Sequence, residues 1–178
     1  MQRLDDMEVA LPEFEEPEES PSFSDNHQYF EHFRQMCSLS LLKGRIYSEI
    51  YCPKRDVKHL DFCRKVRELN AELEKWWENL QLKDLPNPVS ETKDFLAAFA
   101  WMTLRIVYCN CLIMTHRIIP RFHYLATHNL EWRSGALYHD LASLEAQLPL
   151  STAACLGAAR DTLQLVHHIP WSNTSWIW

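Results

Sequence analysis

Glycine occurs three times in 178 residues, at Gly44, Gly135 and Gly157, where average usage near 7 % would supply about a dozen. Hairpin turns, bulges and phosphate-cradling loops draw on glycine for positive φ. Scarcity on this scale argues against a strand-rich sandwich or barrel, a P-loop or a dinucleotide-binding fingerprint. It predicts an all-α fold. The length suits one domain, and 47 % hydrophobic residues with seven tryptophans suit a packed core rather than a disordered chain.

Charge divides the chain unevenly. Residues 1 to 31 carry ten acidic side chains against Arg3 alone, and the remaining 147 residues have a balance of +3. A weakly basic body with interspersed charges lacks the electrostatic footprint of nucleic-acid binding, so no direct nucleic-acid contact is expected. The six cysteines, Cys37, Cys52, Cys63, Cys109, Cys111 and Cys155, contain no Cys-x-x-Cys pair, and the acidic N-terminus does not resemble a secretory leader. Reduced cysteines in an intracellular protein are expected. Cys109 and Cys111 point to nearly opposite sides of a helix, which argues against joint zinc ligation.

Three regions follow along the chain. Residues 1–25, with prolines at 12, 17 and 21, read as an extended acidic lead-in, and Phe14 and Phe23 make it a candidate interaction segment. Residues 26–168 read as a helical domain, and 169–178 as a Trp-rich tail. In the domain, Ser24 or Asp25 caps a helix to about Tyr51, with Phe30, Phe33, Cys37, Leu41, Gly44 and Tyr47 as its inward stripe. A second helix covers about Val57 to Gln81 with Val66, Leu69, Leu73, Trp76, Trp77 and Leu80 inward, and Pro53-Lys54-Arg55 near its start reads as part of a solvated mixed-charge face. A third runs from Ser90 to about Ile118.

That third segment is apolar from Phe95 to Met114 apart from Thr103, Arg105 and Asn110. Its length matches a membrane span, yet a central basic residue costs roughly 2.5 to 3.5 kcal/mol there. A long central helix buried on all sides by its neighbours is the better reading, with no membrane partner. Beyond Pro120 a polar connection is expected to Ser134, then a leucine-striped helix from Leu137 ending at Pro149. Ser151 caps a final helix to His168 with Cys155, Ala158, Ala159, Leu163 and Val166 inward.

Catalytic patterns are few: no nucleophile elbow and no zinc-protease helix motif is present. His116, His139, Asp140 and Asp161 follow the order of the His…His-Asp…Asp ligands of helical metal-dependent phosphohydrolases. They form the alternative, enzymatic reading. His116, His123 and His128, spaced by seven and five residues across Pro120, fix no common face for a metal and read as loop and helix-end histidines.

Five segments in order resemble the fungal-specific transcription factor regulatory domain, the middle homology region of zinc-cluster regulators. They are the acidic entry Asp5 to Pro12; Leu42-Lys43-Gly44-Arg45-Ile46-Tyr47-Ser48-Glu49-Ile50-Tyr51; Leu69, Leu73 and Trp76; Ile113-Met114-Thr115-His116-Arg117; and Ser151 to Arg160 with Cys155, Ala158, Ala159 and Arg160. Ile118-Ile119-Pro120 departs from the family's step after the histidine. The family's six-cysteine, two-zinc DNA-binding cluster is absent, so no metal or cofactor is expected in this chain. The resemblance implies a non-enzymatic, nuclear regulatory module, truncated at its Trp-rich tail, that works through self-association, co-regulators or a small-molecule effector. It makes Gly44, Ile46, Tyr47, Tyr51, Trp76, His116, Arg117, Cys155, Ala158, Ala159 and Arg160 family-motif residues with structural roles.

Overall fold

The computed structural model describes residues 23–52, 62–80, 95–128 and 141–167. The lead-in before Phe23, the Pro53-Lys54-Arg55 run, Gly135, His139, Asp140 and the Trp-rich tail lie outside the described residues. The described residues form five α-helices: α1 Phe23–Ile46, α2 Phe62–Glu78, α3 Phe95–His116, α4 Ile118–His128 and α5 Leu141–His167. A π-helical turn, Tyr47–Tyr51, continues α1 and closes with a 3.1 Å bond from the Cys52 N–H to the Tyr47 carbonyl. The fold is all-α, with no strand among the described residues.

α3 is the central helix and packs against α1, α2, α4 and α5. The main core joins Leu39, Ile46 and Ile50 to Val66, Leu69, Leu73 and Trp76 of α2, Leu104 and Cys111 of α3, Ile118 and Ile119 of α4, and Leu144 of α5. Each fully buried large aliphatic side chain contributes about 1.5–3 kcal/mol of transfer free energy. A second cluster, Trp101, Met102 and Leu165, closes the other end of α3. No described helix is long and apolar enough to cross a membrane.

The stripe expected on α2 faces the core as read: charges occupy its other side, so the 3.6-residue period is unambiguous. α1 differs. Its core face is Leu39, Ile46 and Ile50, with Met36 and Leu42 packed alongside, whereas Phe33, Leu41 and Tyr47 of the expected stripe are exposed. Apolar residues occupy several faces of α1, so spacing alone selects the wrong one.

Both expected proline breaks are also corrected. Pro120 lies in the first turn of α4 instead of opening a polar connection. In the first turn of the helix it opens, its missing N–H removes no bond internal to α4, so helicity resumes beyond a bend. Pro149 lies inside α5, and Ser151 is an inward residue in mid-helix rather than a cap. Leu144, Gln147, Ser151, Ala158 and Leu165 stay in phase across the proline, and packing on that face holds the two halves on one axis. This phase leaves Leu163, expected inward, 71 % exposed and Val166 exposed with it. Gly157 meets nothing within 4 Å of an added Cβ, so it marks no close helix approach.

Arg105, the charge within the apolar segment, bonds Asp161 at 3.1 Å and sits over Trp77 and Trp101 at 5.7 and 5.1 Å. Ion pair and ring faces together stabilise the half-buried guanidinium. At the π turn, Arg45 bonds Glu49 and Glu72, Lys65 bonds Glu49 and Glu68, and Arg64 bonds Glu68. Burial alone would raise the Glu49 carboxyl, but Lys65 and Arg45 hold it below its ordinary value. Exposed pairs of this kind contribute about 0–1 kcal/mol each and mainly fix the angle of α1 against α2.

Candidate functional site

The joint between α3 and α4 collects polar side chains from four elements. Its cause is local: Pro120 offers no N–H to the His116 carbonyl, so the hydrogen-bond ladder breaks at Arg117. The Arg117 N–H still reaches the Ile113 carbonyl at 3.0 Å. Side chains serve the neighbouring carbonyls. Tyr51 donates its hydroxyl to the Met114 oxygen at 2.6 Å, and the Cys155 thiol points at the Ile113 oxygen from 3.9 Å. Arg117 Nε donates to the Tyr51 oxygen at 2.8 Å, its guanidinium 5.1 Å from that ring's centroid.

His116 lies beneath this joint, buried. Asn70 donates its amide to Glu74 at 2.8 Å, so its Oδ1 faces the imidazole and accepts from His116 Nε2 at 2.9 Å. Nδ1 is then the acceptor, and the Ser151 hydroxyl donates to it at 3.2 Å. Burial lowers the His116 pKa below 6.5, with the nearby Glu74 carboxylate opposing it in part. Ser–His–Asn is also a hydrolase order, but the Ser151 side chain is completely enclosed in mid-helix, where no substrate reaches its oxygen. The network positions helices.

The joint thus brings together Tyr51, His116, Arg117 and Cys155 of the motif residues. Trp76 and Ile46 are core, Ala158 is buried on α5 and Gly44 is half-buried on α1. Tyr47 is exposed and stacks on Tyr51 at 6.2 Å, while Ala159 is half-buried and Arg160 points to solvent. Asn70 had no sequence signal beyond a polar residue beside an apolar stripe, and Ser151, read as a helix cap opening a motif segment, is instead a buried partner of His116.

The phosphohydrolase ligands are not assembled by the described residues. Asp161 is held by Arg105, which lies eleven residues before His116 on α3, a separation of about 16 Å along the axis. His128 stacks on Tyr124 at 4.3 Å on α4, apart from the buried His116. No group of three or more His, Cys, Asp or Glu among the described residues could hold a metal ion.

A second cluster surrounds Arg105. Trp77 stacks on Tyr108 at 4.7 Å and Trp76 on Tyr108 at 6.0 Å, and burial with the Glu74 and Glu78 carboxylates pushes the Tyr108 phenol up to about 12. The indole N–H groups of Trp76 and Trp101 are buried without an acceptor among the described residues.

Over 183 aligned residues, 98 % of the chain is 27 % identical to an ABC-transporter-regulating transcription factor of Aspergillus fumigatus. A protein with the same description from Aspergillus oryzae is 26 % identical over the same share. The chain is similar to fungal transcription factors. It spans about a fifth of the length of the curated relatives it matches, 20 % of each. Neither a family model nor a solved structure matches it.

Burial also sets a pH response. His32, close to Thr103 at 3.3 Å, has its pKa lowered by burial, countered in part by an Ala100 backbone hydrogen bond. Both histidines stay neutral in the fold where the unfolded chain, with ordinary values of 6.5, takes up protons. Their stability contribution is therefore complete above pH 6.5 and is lost as pH falls through the interval down to the lowered native values. Urea midpoints should fall between pH 7 and pH 5.5, a range above the carboxylates' own titration. His116→Gln should flatten that fall, leaving the part due to His32; a flat wild-type profile would refute the assignment.

Proposed function

We propose that the chain is a regulatory domain of a fungal transcription factor, related to the middle homology region, that adjusts transcription through protein or small-ligand contacts and acts in the nucleus. The observation that carries the reading is the similarity of nearly the whole chain to two fungal transcription factors. The order of the motif segments supports the regulatory-domain detail. The enclosed Ser–His–Asn network and the pairing of Asp161 with Arg105 speak for scaffolding over catalysis. The buried Trp101 N–H, whose ring lies beneath Arg105, is the donor at which an effector with a hydrogen-bond acceptor would be sought.

The test inserts the chain between a heterologous DNA-binding domain and a strong activation domain in a fungal reporter strain. Reporter output should change several-fold against a fusion carrying an inert helical spacer. His116→Ala should remove the change. Output identical to the spacer control would overturn the reading. Metal analysis of the purified chain is the complementary check. Stoichiometric manganese, iron or zinc lost in His139→Ala would favour the phosphohydrolase instead.

A further inference from the structure

We propose that the outward face of α1 is a self-association interface that seats the α1 helix of a second copy of this chain, running antiparallel. α1 is apolar on two sides. Leu39, Ile46 and Ile50 fill the core, while Phe33, Leu41 and Tyr47 on the other side are 57 %, 38 % and 54 % exposed. Half-buried Cys37 and Gly44 complete that second line. It carries no charged residue from Phe33 to Tyr47, a run of about 21 Å along the helix. A solvent-facing helix surface is ordinarily polar, so an uncharged line with two exposed aromatic rings marks a contact surface.

The order of sizes identifies the occupant. Phe33, Cys37, Leu41, Gly44 and Tyr47 read large, small, aliphatic, small, large, close to a palindrome about Leu41. A two-fold interface needs a patch complementary to itself when turned end for end. Antiparallel pairing about an axis near Ser40 and Leu41 places Phe33 of each copy toward Tyr47 of the other. Cys37 then meets Gly44, where the missing side chain lets the two backbones approach. On the flanks, Arg34 is held by Glu31 and Arg45 by Glu49 and Glu72. The outward side of α5, with Leu156 and Leu163 exposed, places Arg160 between them and lacks such symmetry.

Sedimentation velocity of the purified chain over a dilution series from micromolar upward reads the proposal. A reversible monomer–dimer equilibrium is expected. Leu41→Glu should weaken it by more than about tenfold, a loss exceeding 1.4 kcal/mol, and Leu163→Glu on α5 should not. Unchanged circular dichroism shows that the variants remain folded. Should Leu41→Glu fail to fold, Ser40→Cys in a Cys37→Ser, Cys52→Ser background replaces it: mild oxidation should give a covalent dimer, which Arg67→Cys should not. A chain monomeric throughout, equal effects of Leu41→Glu and Leu163→Glu, or no Ser40→Cys cross-link would overturn the interface. None of these readouts depends on transcription, so the interface and the proposed function can fail separately.

Discussion

His116→Ala should be the most damaging of the polar substitutions, lowering stability by about 3 to 5 kcal/mol. Two hydrogen bonds disappear together, leaving the Asn70 Oδ1 and the buried Ser151 hydroxyl without their partner. Each stranded group costs about 1–3 kcal/mol, and the space of the imidazole adds a cavity term. For a chain of this length the melting midpoint should fall by roughly 10 °C or more. Urea unfolding measures the loss directly, and a double-mutant cycle with Asn70→Ala should return a coupling of about 0.5–3 kcal/mol. A loss below 1 kcal/mol in His116→Ala would mean that the network is not formed in solution.

Pro149→Ala should move stability the other way. Proline in a helix interior removes one backbone hydrogen bond and crowds the carbonyl four residues earlier, at a cost of about 3 kcal/mol against alanine. The exposed Pro149 of α5 occupies such a position. Alanine also frees the unfolded chain, which offsets about 0.4–1 kcal/mol of the gain. A net stabilisation of about 2 kcal/mol remains, or roughly 4–8 °C in the melting midpoint. Calorimetry of the two proteins decides the matter. An unchanged or lower midpoint would show that the proline relieves strain elsewhere in α5.

How legible these features are in the sequence depends on contrast. α2 sets charges against apolar residues, so Val66, Leu69, Leu73 and Trp76 announce their own face. The central burial of α3 is legible because an apolar run with one arginine is poor as a membrane span and good as a bundle core. α1 offers no such contrast. α5 disguises its inward face by placing Gln147 and Ser151 on it and by interrupting the run with Pro149. The motif order picks out His116, Arg117, Tyr51 and Cys155, but their partners come from far along the chain. Asn70 lies 46 residues from His116, and Ser151 lies 35. Only tertiary packing brings a polar residue from another helix to a buried imidazole.

The π turn at Tyr47–Tyr51 has a consequence for length variation. Its Cys52-to-Tyr47 bond encloses one residue more than an α-helical turn does. That turn is therefore the place in α1 where loss of a single residue could restore regular α-helix without lengthening any connection. The same loss would rotate Tyr51 away from Met114 and release Arg117. Chains of this kind should tolerate substitution more readily than deletion within this five-residue turn, because an extra residue there sets the reach of one tyrosine.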